Sequence, residues 1–106
     1  MKKYSELLKK FKREILKLLP EEIETIRLFG SQARGDAHED SDVDILVVTK
    51  TDDWHLGDKI GEVAYNLLLE TGIYISTKVI SRKHYDYLRR LNAPFILNVL
   101  REGIAL

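Results

Sequence analysis

Gly30-Ser31-Gln32-Ala33-Arg34-Gly35, followed after a short gap by Asp42-Val43-Asp44-Ile45-Leu46-Val47-Val48-Thr49, is the stretch on which the fold turns. Asp42 and Asp44 alternate, so on a strand both carboxylates leave the same face. The apolar run Ile45 to Val48 that follows reads as a buried strand beginning at Asp42. Upstream, Ile23 to Phe29 has the alternation of a short strand, and Gly30-Ser31 breaks it. Ser31 is expected to cap a helical turn through Arg34. Residues 35 to 41 are polar, acidic and turn-forming.

Outward from this centre the chain is regular. Tyr4, Leu7, Leu8, Phe11, Ile15, Leu18 and Leu19 recur at helical spacing before Pro20, which predicts a helix over 4–19. Asp52 or Asp53 caps a second long helix whose buried stripe is Leu56, Ile60, Val63, Ala64, Leu67 and Leu68, with Trp54 expected to anchor it to the core. Thr71-Gly72 ends that helix. Ile73 to Ile80 is a third strand, and Ser81 caps a helix through about Leu91. The Asn92-Ala93-Pro94 break precedes a last helical segment, Phe95 to Arg101, and an apolar tail. Helix, strand, turn, strand, helix, strand and helices make an α/β layer on a small sheet.

With 106 residues, a single domain over 1–106 is expected. There is no cysteine, so disulfides, thiolate zinc sites and Cys nucleophiles are excluded. Lys plus Arg and Asp plus Glu number 17 each, and no global field points to nucleic acid or an anionic membrane. No apolar run reaches the roughly 18 residues of a membrane span, and the expected setting is the cytoplasm. Lys2, Lys3, Lys9, Lys10, Lys12, Arg13 and Lys17 crowd the first helix. A solvated face is the first reading of that run, and a docking surface for nucleic acid or an acidic partner is the second.

Alternate residues on a strand lie roughly 6.5–7 Å apart, close enough for Asp42 and Asp44 to share cations. Oxygen ligands suit a hard ion, and Mg²⁺ takes one or two carboxylates with phosphates and water completing its shell. Gly30 permits close backbone approach, and the turn beginning at Ser31 favours an anion. A phosphate cradle and a carboxylate pair on successive strands together predict a nucleoside triphosphate site.

The run 30–35, then Asp40-Ser41-Asp42-Val43-Asp44, resembles the Gly-Ser…Asp-x-Asp motif of the DNA polymerase β-like nucleotidyltransferase superfamily, with ten residues between Ser31 and Asp42. The chain is similar to its minimal nucleotidyltransferase group, the antitoxin side of HEPN/MNT toxin–antitoxin pairs, down to the closing Arg101-Glu102-Gly103-Ile104. That resemblance implies the nucleotidyltransferase fold, a small mixed sheet with helices packed on it. It implies that Gly30 and Ser31 hold the triphosphate, with Arg34 and Ser41 assisting, and that Asp42 and Asp44 hold Mg²⁺ and carry catalysis. It further implies transfer of AMP from ATP, or of another nucleotide from its NTP, to a tyrosine hydroxyl of a HEPN-domain toxin. Homo- or hetero-oligomers are compatible with it, and nucleic acid is not expected as the direct substrate.

One departure is visible. Many members of the superfamily carry a third carboxylate on the next strand, and here Ser76 falls at that position. Asp36, Glu39 and Asp40 are the nearest acids that would substitute, with solvated turn residues as their first reading. A catalytically weak domain that neutralises its partner by docking is therefore the competing expectation. His55 and His84 fall on separate helices with no metal-ligand spacing, and His38, in the motif loop, reads first as a solvent-exposed residue and second as one within reach of a phosphate.

Overall fold

The computed structural model describes residues 4–35 and 42–106. Helix α1 spans Ser5–Leu18, strand β1 Ile23–Phe29, the single turn α2 Ser31–Arg34, and β2 Val43–Thr49. Helix α3 covers Trp54–Thr71, β3 Ile75–Ser81, α4 Arg82–Arg90, α5 Pro94–Glu102 and β4 Ile104–Ala105. The sheet order is β3-β2-β1-β4. β1 is antiparallel to both β2 and β4, whereas β2 and β3 run parallel, joined by α3 as parallel neighbours require.

Helices cover both faces. Leu8, Phe11 and Ile15 of α1 and Ile60 and Leu67 of α3 bury against Val43, Ile45 and Val47 on one side. Tyr85 of α4 and Ile96 and Val99 of α5 bury against Leu46 and Val48 on the other. β2 is therefore central, and its apolar run is buried on both faces. Removing a side chain such as Phe11 or Ile15 from water contributes about 1.5–3 kcal/mol each. Strand alternation puts Asp42 and Asp44 on the face of Leu46 and Val48, beside α4 and α5.

Local signals in the sequence explain most boundaries. Asp53 caps α3 by accepting from the His55 N–H, and Ser81 caps α4 by accepting from the His84 N–H at 3.1 Å. Gly72 ends α3 in the left-handed region. Asn92, φ 53°, ends α4: its N–H donates to the Arg89 carbonyl and the Ala93 N–H to the Leu88 carbonyl, a Schellman pairing.

Four expectations are corrected. β2 begins at Val43, one residue past Asp42. The N-cap of α2 is Gly30, with no side-chain cap, so Ser31 is the first helical residue. Trp54 does not anchor α3; its ring is 70% exposed and stacks on His55 at 3.7 Å. The apolar tail pairs as a fourth strand beside β1, Ile104 opposite Leu28 and Ala105 opposite Arg27. Gly103 makes that return possible, because a Cβ there would lie 2.3 Å from the Val99 carbonyl oxygen. The Arg27 guanidinium donates to the Gly103 carbonyl at 3.1 Å, fastening the end of α5 to β1.

Candidate active site

The two halves of the motif meet at the end of β1. Phe29 pairs with Asp44 across the β1–β2 ladder, and the chain turns at Gly30 with φ 74°. A Cβ on Gly30 would stand 2.5 Å from Asp44 Oδ2. The backbone angle requires glycine, and a side chain there would also push the Asp44 carboxylate from its place. Beyond it, the Gly30 carbonyl accepts from the N–H groups of Ala33 and Arg34, closing α2, and Gly35 ends the turn at φ 81°. Gln32 is buried beneath this turn, a position that no spacing in the sequence singled out.

Asp42 is exposed just before β2, and Asp44 is half-buried. Burial is the main influence raising the Asp44 pKa above the usual carboxylate value, and the negative charge of Asp42 adds to it. Arg34 acts in the opposite sense. A carboxylate pair of this kind lacks positive charge. A hard divalent cation is the ligand that suits it, with phosphate oxygens and water filling the remaining positions. Among the described residues no three His, Cys, Asp or Glu side chains converge, so such an ion has at most these two carboxylates from them. In the parallel ladder Ser76 stands directly beside Asp44, with a hydroxyl where a carboxylate would give a third ligand.

Arg34 ends α2 with a guanidinium 3.4 Å from the Glu102 carboxylate. The two flank a cleft of about 230 Å³ bordered by Phe29, Gly30, Phe95 and Asn98. Phe29 and Phe95 meet edge to face, with centroids 5.4 Å apart, and form its apolar wall. Glu102 is the site residue that the motif alone did not indicate. The closing Arg101-Glu102-Gly103-Ile104 run entered only as part of the family resemblance, and the fold alone brings Glu102 beside Arg34, 68 residues away. The structure thus gathers Gly30, Ser31, Arg34, Asp42 and Asp44 around one end of the sheet. Ser41 lies outside the described residues, as do Asp36, His38, Glu39 and Asp40. His55 and His84 stand at the starts of α3 and α4, at the opposite end of β2 and β3.

Comparison with known proteins agrees with this geometry. The pattern of the nucleotidyltransferase domain family matches residues 8–97. MJ0604 of Methanocaldococcus jannaschii, assigned by inference as a protein adenylyltransferase, is 41% identical over 81 residues, 76% of this chain and 75% of that protein. MJ0141 of the same organism, with the same assignment, is 47% identical over 45 residues, 42% of this chain and 46% of its own length. Among solved structures, a toxin–antitoxin complex with AMP-PNP superposes with TM-score 0.57 at 23% identity, covering 91% of this chain and 69% of that one. A nucleotidyltransferase-type protein from Sulfolobus solfataricus gives 0.55 at 21% identity, covering 94% and 76%. The toxin–antitoxin pair MntA-HpeT, in a form with two Asp-to-Glu substitutions, gives 0.52 at 21% identity, covering 89% and 68%. At these identities the solved structures speak for the fold; the family pattern and the 41% identity with MJ0604 show that this chain belongs to the nucleotidyltransferase domain family.

Proposed function

We propose that this domain transfers AMP from ATP to a hydroxyl of a partner protein, a tyrosine of a HEPN-domain toxin, and so acts in the cytoplasm as an antitoxin. The observation that carries the reading is the contact of Asp44 with Gly30. It joins a carboxylate pair to a backbone turn open to phosphate, with Arg34 beside both. The relatives support the acceptor class: MJ0604 is assigned as a protein adenylyltransferase, and two structural neighbours are toxin–antitoxin complexes, one of them with AMP-PNP.

In this reading the triphosphate lies over Gly30 and Ser31, and Arg34 offsets phosphate charge. Ser41, just before Asp42 in the sequence, would assist. Asp42 and Asp44 hold Mg²⁺, which when bound supplies positive charge for the α-phosphate and the departing pyrophosphate. The tyrosine oxygen forms a bond to the α-phosphorus as the bond to the pyrophosphate oxygen breaks. The phenol's proton passes to solvent or to a base of the partner. Positioning and charge neutralisation account for most of the rate in such transfers.

Ser76 favours a second reading. With a hydroxyl beside Asp44, a weak or inactive nucleotide-binding module that neutralises its partner by docking would have the same architecture. One experiment separates the two. The protein is incubated with α-labelled ATP, Mg²⁺ and the protein encoded by the adjacent gene, with Asp42→Asn and Asp44→Asn in parallel. Label on a partner tyrosine, lost in either variant, supports transfer. A tight complex without label, indifferent to both substitutions, would replace it with docking.

A further inference from the structure

The approach to β3 brings a phenol to the carboxylate pair. Ile73 and Ile75 both pack into the core on the α1 and α3 side of the sheet, so Tyr74 between them turns to the opposite face. Val43 packs on that same core side, so Asp42 and Asp44 share the face of Tyr74. The Tyr74 carbonyl accepts the Val43 N–H at 3.4 Å, which holds the entry of β3 against the entry of β2. The parallel ladder pairs Val43 with Ile75 and Asp44 with Ser76. One step earlier it sets Tyr74 beside Asp42, with the two backbones roughly 4.8 Å apart. Tyr74 is 48% exposed, so the core leaves its ring accessible. The other tyrosines stand elsewhere: Tyr4 and Tyr85 are buried, Tyr65 lies on α3 across the sheet, and Tyr87 lies on α4.

In-line displacement sets the entering oxygen opposite the leaving one. With pyrophosphate leaving over Gly30 and Ser31 at the end of β1, the α-phosphorus lies at the carboxylates of β2. The sheet runs β3-β2-β1, so the acceptor oxygen comes in from the side of β3, where Tyr74 stands. The strand itself, Ile75–Ser81, holds no acid to take a proton. Such a place favours a hydroxyl that ionises readily, and the tyrosine phenol, with a pKa of about 10, is the side-chain hydroxyl that does so. Carried on the chain that binds the nucleotide, it also meets the phosphorus at a high effective concentration.

We infer, resting on the transferase reading above, that Tyr74 is a modification site: in the absence of a partner the domain adenylylates its own Tyr74 hydroxyl. The phenol oxygen bonds to the α-phosphorus of ATP as the bond from that phosphorus to the bridging oxygen breaks. Pyrophosphate leaves with the electron pair, the phenol proton passes to solvent, and a Tyr74–AMP phosphodiester remains. The full chain alone is incubated with Mg²⁺ and ATP labelled in the α- or the γ-phosphate, and the modified residue is mapped by mass spectrometry. Parallel samples contain the protein encoded by the adjacent gene. One AMP on Tyr74 is expected from the α-label, with no γ-label retained. Tyr74→Phe and Asp42→Asn abolish it. The half-exposed ring leaves Tyr74→Phe with the circular dichroism and melting temperature of wild type. The fraction labelled per minute is constant over about a hundredfold range of protein concentration, because nucleotide and acceptor share one chain. Label on Ser76, Tyr65 or Tyr87 overturns the inference, as does a fractional rate that rises with protein concentration. A labelled partner with an unlabelled Tyr74 also overturns it and leaves the transferase reading standing. No label on either protein overturns both.

Discussion

At Gly30 a methyl group would strain the backbone and displace the Asp44 carboxylate. Its φ of 74° and the Asp44 oxygen 2.5 Å from the added Cβ both oppose it. Gly30→Ala is expected to cost about 1–3 kcal/mol of stability and to remove transfer, seen together in a denaturant titration and the labelling assay. Asp44 tells the opposite story about stability. Its pKa is raised mainly by burial, so the folded chain binds this proton more tightly than the unfolded one. Its contribution is therefore most favourable below the ordinary value of 3.8, and is lost as pH rises through that value and the higher folded one. At neutral pH Asp44→Asn should melt a few degrees higher than wild type without metal, the gap closing in acid, while transfer disappears. Ser76 offers the converse test. Ser76→Asp places a third carboxylate beside Asp44, and should raise Mg²⁺-dependent labelling while lowering the melting temperature of the metal-free protein.

Among the elements, the caps and the closing strand are separable. Ser81 accepts the His84 N–H from a buried position between β3 and α4, and Ser81→Ala should cost about 1 kcal/mol by chemical denaturation, leaving the site's chemistry intact. Gly103→Ala is more severe, since the Val99 carbonyl is 2.3 Å from the new Cβ and must move. β4 would detach and α5 would shift its end, a loss of about 1–3 kcal/mol with weakened nucleotide binding. The elements with strong periodic or punctuating signals were legible: α1 before Pro20, the apolar run of β2, and α3 between Asp53 and Gly72. The family resemblance carried the motif at Gly30, Arg34 and Asp44 further than spacing alone. β4 was not legible, because two exposed residues have no alternation to read, and their partners Arg27 and Leu28 lie in β1, far back along the chain. Trp54 was misjudged for a related reason. A large aromatic favours burial on average, but its place opposite the core stripe of α3 outweighs that average.

For the whole molecule, the uneven charge within a neutral total matters more than the total. Lys10 of α1 pairs with Glu70 of α3, and Arg34 with Glu102, so part of the positive charge is engaged in holding the layers together. No helix among the described residues is long and apolar enough to cross a membrane. If Mg²⁺ with nucleotide binds the folded chain alone, ligand at a hundred times its dissociation constant stabilises it by about 2.7 kcal/mol. A thermal shift with Mg·ATP is expected in wild type and absent in Asp42→Asn.

The return of β4 also sets a schedule. Arg34 and Glu102 are 68 residues apart, and the sheet position beside β1 is filled only by the segment that follows Glu102. During synthesis the motif halves at Gly30 and Asp44 leave the ribosome early, and their neighbour from α5 arrives last. A nascent chain therefore has its carboxylates and the turn at Gly30 before it has the wall of the cleft. The cleft between Arg34 and Glu102 takes the form seen here only once residue 102 has cleared the exit tunnel.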